Sequence, residues 1–180
     1  MIAAPLHQSC QNTSILEFSI KRFPEITIIV WETRAFNEFT NHQLARNIIF
    51  VEVEKPYSEF VFEALHEKGD YNVLYKPNEK EITMYAGDTT VTVLPLTSEA
   101  PINGNSAKLE KLLVDLFANS LLDKVISIGD FLGIYKEAVS KYNINYSIML
   151  RYAKRRGKGT EIQSIMESGE FQLIAGRISI

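Results

Sequence analysis

Two groups of residues in this 180-residue chain have types and spacing that could do chemistry. The first is Glu52-Val53-Glu54-Lys55 at the end of an apolar run. Alternating carboxylates can hold Mg²⁺, and a carboxylate near a lysine serves nuclease or nucleotidyl-transfer chemistry. The spacing fits both poorly. A carboxylate-x-lysine nuclease needs an acid two places before Lys55, where Val53 stands. A nucleotidyl transferase needs a Gly-Ser pair shortly upstream, and residues 35–45 contain neither glycine nor serine. Solvated strand-end charge is the favoured reading of Glu52 and Glu54, with a metal site as the alternative. The second group is Arg151, Lys154, Arg155, Arg156 and Lys158, five cations within eight residues. Arginine forks fit oxyanions and lysine supplies a mobile point charge, so this segment can take phosphates or an acidic partner surface. On a helix, Arg151, Lys154, Arg155 and Lys158 recur at steps of three and four and share one side. Cations in a last helical turn also offset the negative end of the helix dipole by about 0.3–1 kcal/mol each. The segment therefore reads equally well as a binding patch and as a solvated helix end.

Other chemistries find no footing. Cys10 is the single cysteine and has no internal disulfide partner, and His7, His42 and His66 have no Cys/His spacing for zinc. None of these residues sits in a nucleophile motif. Gly129 with Gly133, and Gly157 with Gly159, bracket helix ends without offering a row of free amides to an anion. No cofactor is expected. Nineteen basic against twenty-two acidic side chains give a formal charge of -3, which confers no global attraction for nucleic acid or anionic lipid. No apolar run approaches the roughly 20 residues needed to cross a bilayer, and the N-terminus lacks the basic start of a secretory signal. A reducing compartment, the cytoplasm, is the expected location.

The elements that must carry these residues follow from periodicity. A composition of 46% apolar and 23% charged residues at this length points to one globular domain. After a lead-in and short helix over 1–25, strands are expected at Ile26–Trp31, Asn47–Glu54, Tyr71–Tyr75 and Thr89–Leu94, within a sheet subdomain spanning 26–96. A helix is expected from Pro56 to Lys68, with Phe60, Val61, Ala64 and Leu65 as its apolar stripe and Gly69 as its left-handed stop. Thr97–Ser106 reads as a connector. A helical subdomain then occupies 106–168. Its first helix puts Leu109, Leu112, Leu113, Leu116 and Phe117 on one face and leaves Glu110, Lys111 and Asp115 to face outward or to form caps and pairs. Further helices are expected near 128–142 and 146–156, the latter capped by Asn145, and a fourth opens with Thr160 and Gln163 in capping-box spacing. Residues 169–180 read as a tail or edge strand. The predicted fold class is mixed α/β, a small sheet with flanking helices followed by a helical C-terminal part.

Three stretches carry a family resemblance: Trp31–Phe39 leading to Ile48–Val53, then Leu109-Glu110-Lys111-Leu112-Leu113-Val114-Asp115-Leu116-Phe117, and Leu150–Gly157. In this order they resemble the C-terminal domain of AbiEi-type antitoxins of bacterial abortive-infection toxin–antitoxin pairs. The resemblance implies a non-catalytic, antitoxin-like module opposing a nucleotidyltransferase-like toxin by protein contacts, with help from Arg151, Lys154, Arg155, Arg156 and Lys158. In that family an N-terminal winged helix binds operator DNA. Residues 1–25 are too few for one, so operator binding does not carry over. An enzyme using Glu52 and Glu54, and a nucleic-acid binder using 151–158, are the competing expectations.

Overall fold

The computed structural model describes residues 10–87 and 89–168, and the tail expected over 169–180 lies outside them. In chain order the elements are α1 (Cys10–Arg22), β1 (Ile28–Glu32), β2 (Asn47–Val53), α2 (Ser58–Lys68), β3 (Asn72–Tyr75), α3 (Glu79–Tyr85) and β4 (Thr89–Pro95). A short hairpin of β5 (Ile102–Asn103) and β6 (Ser106–Ala107) follows, and then α4 (Leu109–Ala118), α5 (Phe131–Lys141), α6 (Tyr146–Arg155) and α7 (Gly159–Glu167). Short 3-10 turns cover Thr33–Phe39, Lys55–Tyr57, Leu122–Lys124 and Ile128–Asp130. The fold class is the expected one, a small mixed sheet with flanking helices and a helical C-terminal part.

The sheet runs in the order β1-β2-β4-β3. β1 is antiparallel to β2, with Ile29 opposite Glu52 and Trp31 opposite Phe50, whereas β4 lies parallel to both its neighbours. Every residue of β1 and β2 is buried, which is why their sequences read as nearly continuous apolar runs. Alternation sorts the side chains onto two faces. Ile28, Val30, Ile49, Val51, Val53, Val91 and Val93 pack with Ile15 of α1 and with Val61 and Leu65 of α2. Ile29, Trp31, Ile48 and Phe50 join a second core with Leu113, Leu116, Ile134, Tyr135, Met149 and Ile162 of the later helices. The chain passes from β2 out to β3 at the edge and returns to place β4 between them. Two right-handed crossovers in opposite directions put their helices on opposite faces, and Val61 and Leu65 of α2 are buried on one side while Ile82 of α3 is buried on the other.

Local differences from the expected elements have physical causes. Asn78 and Glu81 form a reciprocal capping box, and this starts α3 in a stretch that reads as polar connector. The Thr97–Ser106 connector contains the β5–β6 hairpin. Its Asn105 accepts from Val30 N at 3.2 Å and donates from Nδ2 to Ile28 O at 2.8 Å, satisfying the free edge of β1. In α2, Phe60 is 59% exposed, so the buried stripe narrows to Val61 and Leu65. The capping box expected from Thr160 and Gln163 does not form, because α7 already begins at Gly159 and has no side-chain cap. Gly69 stops α2 at φ 73, the left-handed conformation glycine adopts without steric cost.

Replacing Asn78 by Ala removes the acceptor for two backbone amides of α3, those of Lys80 and Glu81. Urea unfolding should show a loss of about 1 kcal/mol. An unchanged midpoint would mean that the cap does not hold α3.

Candidate functional site

The two candidate groups occupy opposite surroundings. Glu52 is not solvated strand-end charge, and this corrects the sequence expectation. It is 4% exposed and points from β2 toward α4, where its Oε1 accepts from Trp31 Nε1 at 2.6 Å and from Lys111 Nζ at 2.5 Å. Lys111 has no exposed surface. It also donates to Asp115 Oδ2 at 2.5 Å, one turn along α4. The other oxygen of Asp115 accepts from Tyr152 Oη at 3.0 Å and lies 3.2 Å from Arg156 Nε. The Trp31 ring stacks on Phe50 at 4.2 Å and carries the Lys111 ammonium 5.0 Å from its centroid. Two carboxylates therefore face two cations across the junction of β1, β2, α4 and α6, and the enclosed charges balance.

Helix geometry explains this junction. Residues of α4 from Lys111 to Leu116 are all buried, since the helix lies between the sheet and α5–α6 rather than on the surface. Lys111 and Asp115 cannot face outward from such a helix. Burial alone works against charge on Lys111, but the adjoining Asp115 and Glu52 carboxylates outweigh it and hold the ammonium pKa above the ordinary lysine value. Burial raises the Tyr152 phenol, which therefore stays protonated and donates to Asp115. Because the Lys111 pKa rises on folding, its contribution to stability is fully present below the unfolded value of about 10.4. That contribution is lost only as pH climbs through the higher folded value.

Glu54 has a different partner. Its Oε1 accepts from Thr27 N at 3.0 Å, and these contacts with Thr27 hold its carboxyl below the usual range. Among the described residues, no group of three His, Cys, Asp or Glu side chains is placed to hold a metal ion.

The basic segment divides between inside and outside. Met149, Tyr152 and Ala153 form the buried face of α6, and Arg156 follows at the seventh position on that same face. It reaches inward to Asp115, donates from Nη1 to Thr97 Oγ1 at 3.1 Å and from Nη2 to Ala118 O at 3.3 Å. Arg151, Lys154 and Arg155 are exposed on the opposite face. Lys158 lies beyond the helix end, past Gly157 at φ 71, and pairs with Glu161 of α7 at 2.9 Å. The start of α6 is fixed by Asn145, whose Oδ1 accepts from Ile148 N and whose own N–H donates to Glu110 of α4. The spacing Met149, Tyr152, Ala153, Arg156 is the signal that separates Arg156 from its neighbours. Nothing comparable marks Lys111 and Asp115, because an i, i+4 Lys–Asp pair looks the same on a solvated helix.

Over residues 6–171 the chain matches the model of a family described as "Family of unknown function (DUF6577)". The chain belongs to that family. No curated protein and no solved structure matches it. For this DUF6577 chain, no helix among the described residues is long and apolar enough to cross a membrane.

Lys111→Met leaves Glu52 and Asp115 buried with one cation fewer, and the loss in unfolding free energy should be about 3–5 kcal/mol. Adding Glu52→Gln to that variant removes the uncompensated charge, leaves Asp115 paired with Arg156, and should recover most of the loss. Chemical denaturation of the three proteins checks both steps. A Lys111→Met protein as stable as the parent contradicts the pairing.

Proposed function

We propose that this chain is an antitoxin-like binding module of a bacterial toxin–antitoxin system of the abortive-infection type. It acts by protein contacts, without chemistry of its own, and its partner is a nucleotidyltransferase-like toxin. The observation that carries the binding reading is the exposed row of Arg151, Lys154 and Arg155 on one face of α6, backed by a helix whose other face is locked into the core. A rigid helix that displays charged forks holds them ready for a complementary acidic surface, so little ordering cost falls on association. The engagement of Glu52 by Lys111 and Trp31 gives that carboxylate a structural task and weighs against the enzyme alternative. The toxin–antitoxin assignment rests on the resemblance of Trp31–Phe39 leading to Ile48–Val53, of Leu109–Phe117 and of Leu150–Gly157 to AbiEi-type antitoxins.

The reading expects a nucleotidyltransferase-like toxin encoded beside this chain. Co-expression with that toxin should restore growth, and the triple variant Arg151→Glu, Lys154→Glu, Arg155→Glu should lose both the rescue and the co-purification while keeping its thermal midpoint. Growth arrest unrelieved by the parent chain contradicts the proposal. Tight binding of RNA or DNA that weakens steeply with salt would instead favour the nucleic-acid reading.

A further inference from the structure

We infer that the exposed face of α6 takes a carboxylate-bearing protein surface, and that Glu99 of the same chain occupies this site as a built-in competitor. The inference rests on the binding reading proposed for that face. Glu99 stands in the loop between β4 and β5, where its backbone adopts φ 59, a left-handed conformation rare outside glycine. Its carboxylate meets two arginines one helical turn apart. Oε1 accepts from Arg155 Nη2 at 2.5 Å, and Oε2 lies 3.6 Å from Arg151 Nε. The loop thus presents to α6 the group that an acidic partner would bring.

Two features make Glu99 displaceable. All three side chains remain at the surface, with Arg151 65%, Arg155 55% and Glu99 40% exposed, so water and salt weaken the contact. The contact to Arg151 is also long and slack. Contrast Arg156, which is bound to Asp115, Thr97 and Ala118 and stays with the core. An incoming carboxylate can replace that of Glu99 on the two arginine forks without disturbing the fold.

Charge and extent favour a protein partner over a nucleic acid. The face offers three cations, Arg151, Lys154 and Arg155, over little more than one turn, and the chain as a whole carries a formal charge of -3. That charge opposes a long polyanion, whereas a local cluster of carboxylates fits a patch of this size. Displacing Glu99 raises the local excess from two positive charges to three, so the affinity of the face depends on the loop that guards it.

The test measures binding of a short fluorescent oligo-glutamate peptide at low salt to the full chain, to Glu99→Gln and to the double variant Arg151→Ala, Arg155→Ala. Glu99→Gln should bind about twofold to fivefold tighter than the parent, the gain expected when a surface ion pair no longer competes. The double variant should bind at least about tenfold more weakly, with circular dichroism unchanged. If Glu99→Gln binds like the parent while the double variant is weakened, the competitor role of Glu99 falls and the binding reading of the α6 face survives. If neither variant changes affinity, both fall. A short oligo-uridylate bound more tightly than the oligo-glutamate peptide at equal ionic strength also overturns the inference.

Discussion

A lysine ammonium shut away from water can persist in a folded protein only with carboxylates close around it, because desolvating an unpaired charge costs more than a small domain can supply. Lys111 is such a group, and its two acidic partners come from different layers of the fold, Glu52 from the sheet and Asp115 from its own helix. The position of α4 over the sheet is therefore set by charge as well as by leucines. A sheet-to-helix slip of a few ångströms would still bury Leu113 and Leu116, yet it would strand Lys111. Tyr152 and Arg156 extend the same constraint to α6, so the helix that carries the exposed arginines takes its orientation from buried Tyr152 and part-buried Arg156.

This division of labour within one basic segment is the main functional consequence. Arg156 is spent on the core, Lys158 on the turn into α7, and Arg151, Lys154 and Arg155 remain on the outside face. Reading the five as one patch overstates its size. Reading all five as a solvated helix end misses that Arg156 anchors the helix. The face that results is small and partly screened by Glu99, which, on the proposed binding reading, suits a defined acidic patch better than tracking along a polymer.

How much of this was legible in the residues depends on whether the pattern is local. The strands were readable because β-branched and aromatic runs such as Ile28–Trp31 and Ile48–Val53 have few alternatives, and α4 was readable from its leucine spacing. Gly69 and Asn145 announce helix ends through their own backbone and side-chain chemistry, and both do so in the structure. Glu52, Lys111 and Asp115 were not readable. Two lie 4 positions apart and the third lies 59 residues away from Lys111, and only the tertiary fold brings them together. Charged residues are ordinarily exposed, so the sequence prior pointed them toward solvent. α3 was missed for the opposite reason, since a short helix with one buried residue, Ile82, leaves almost no apolar period to detect.

The most direct test of the central interaction is an NMR titration of the Lys111 side-chain nitrogen in the intact chain. If Glu52 and Asp115 hold the ammonium as described, Lys111 should remain protonated as pH passes the ordinary lysine value of about 10.4, giving up its proton only above it or on unfolding. A Lys111 resonance that titrates at or below that value would contradict the account.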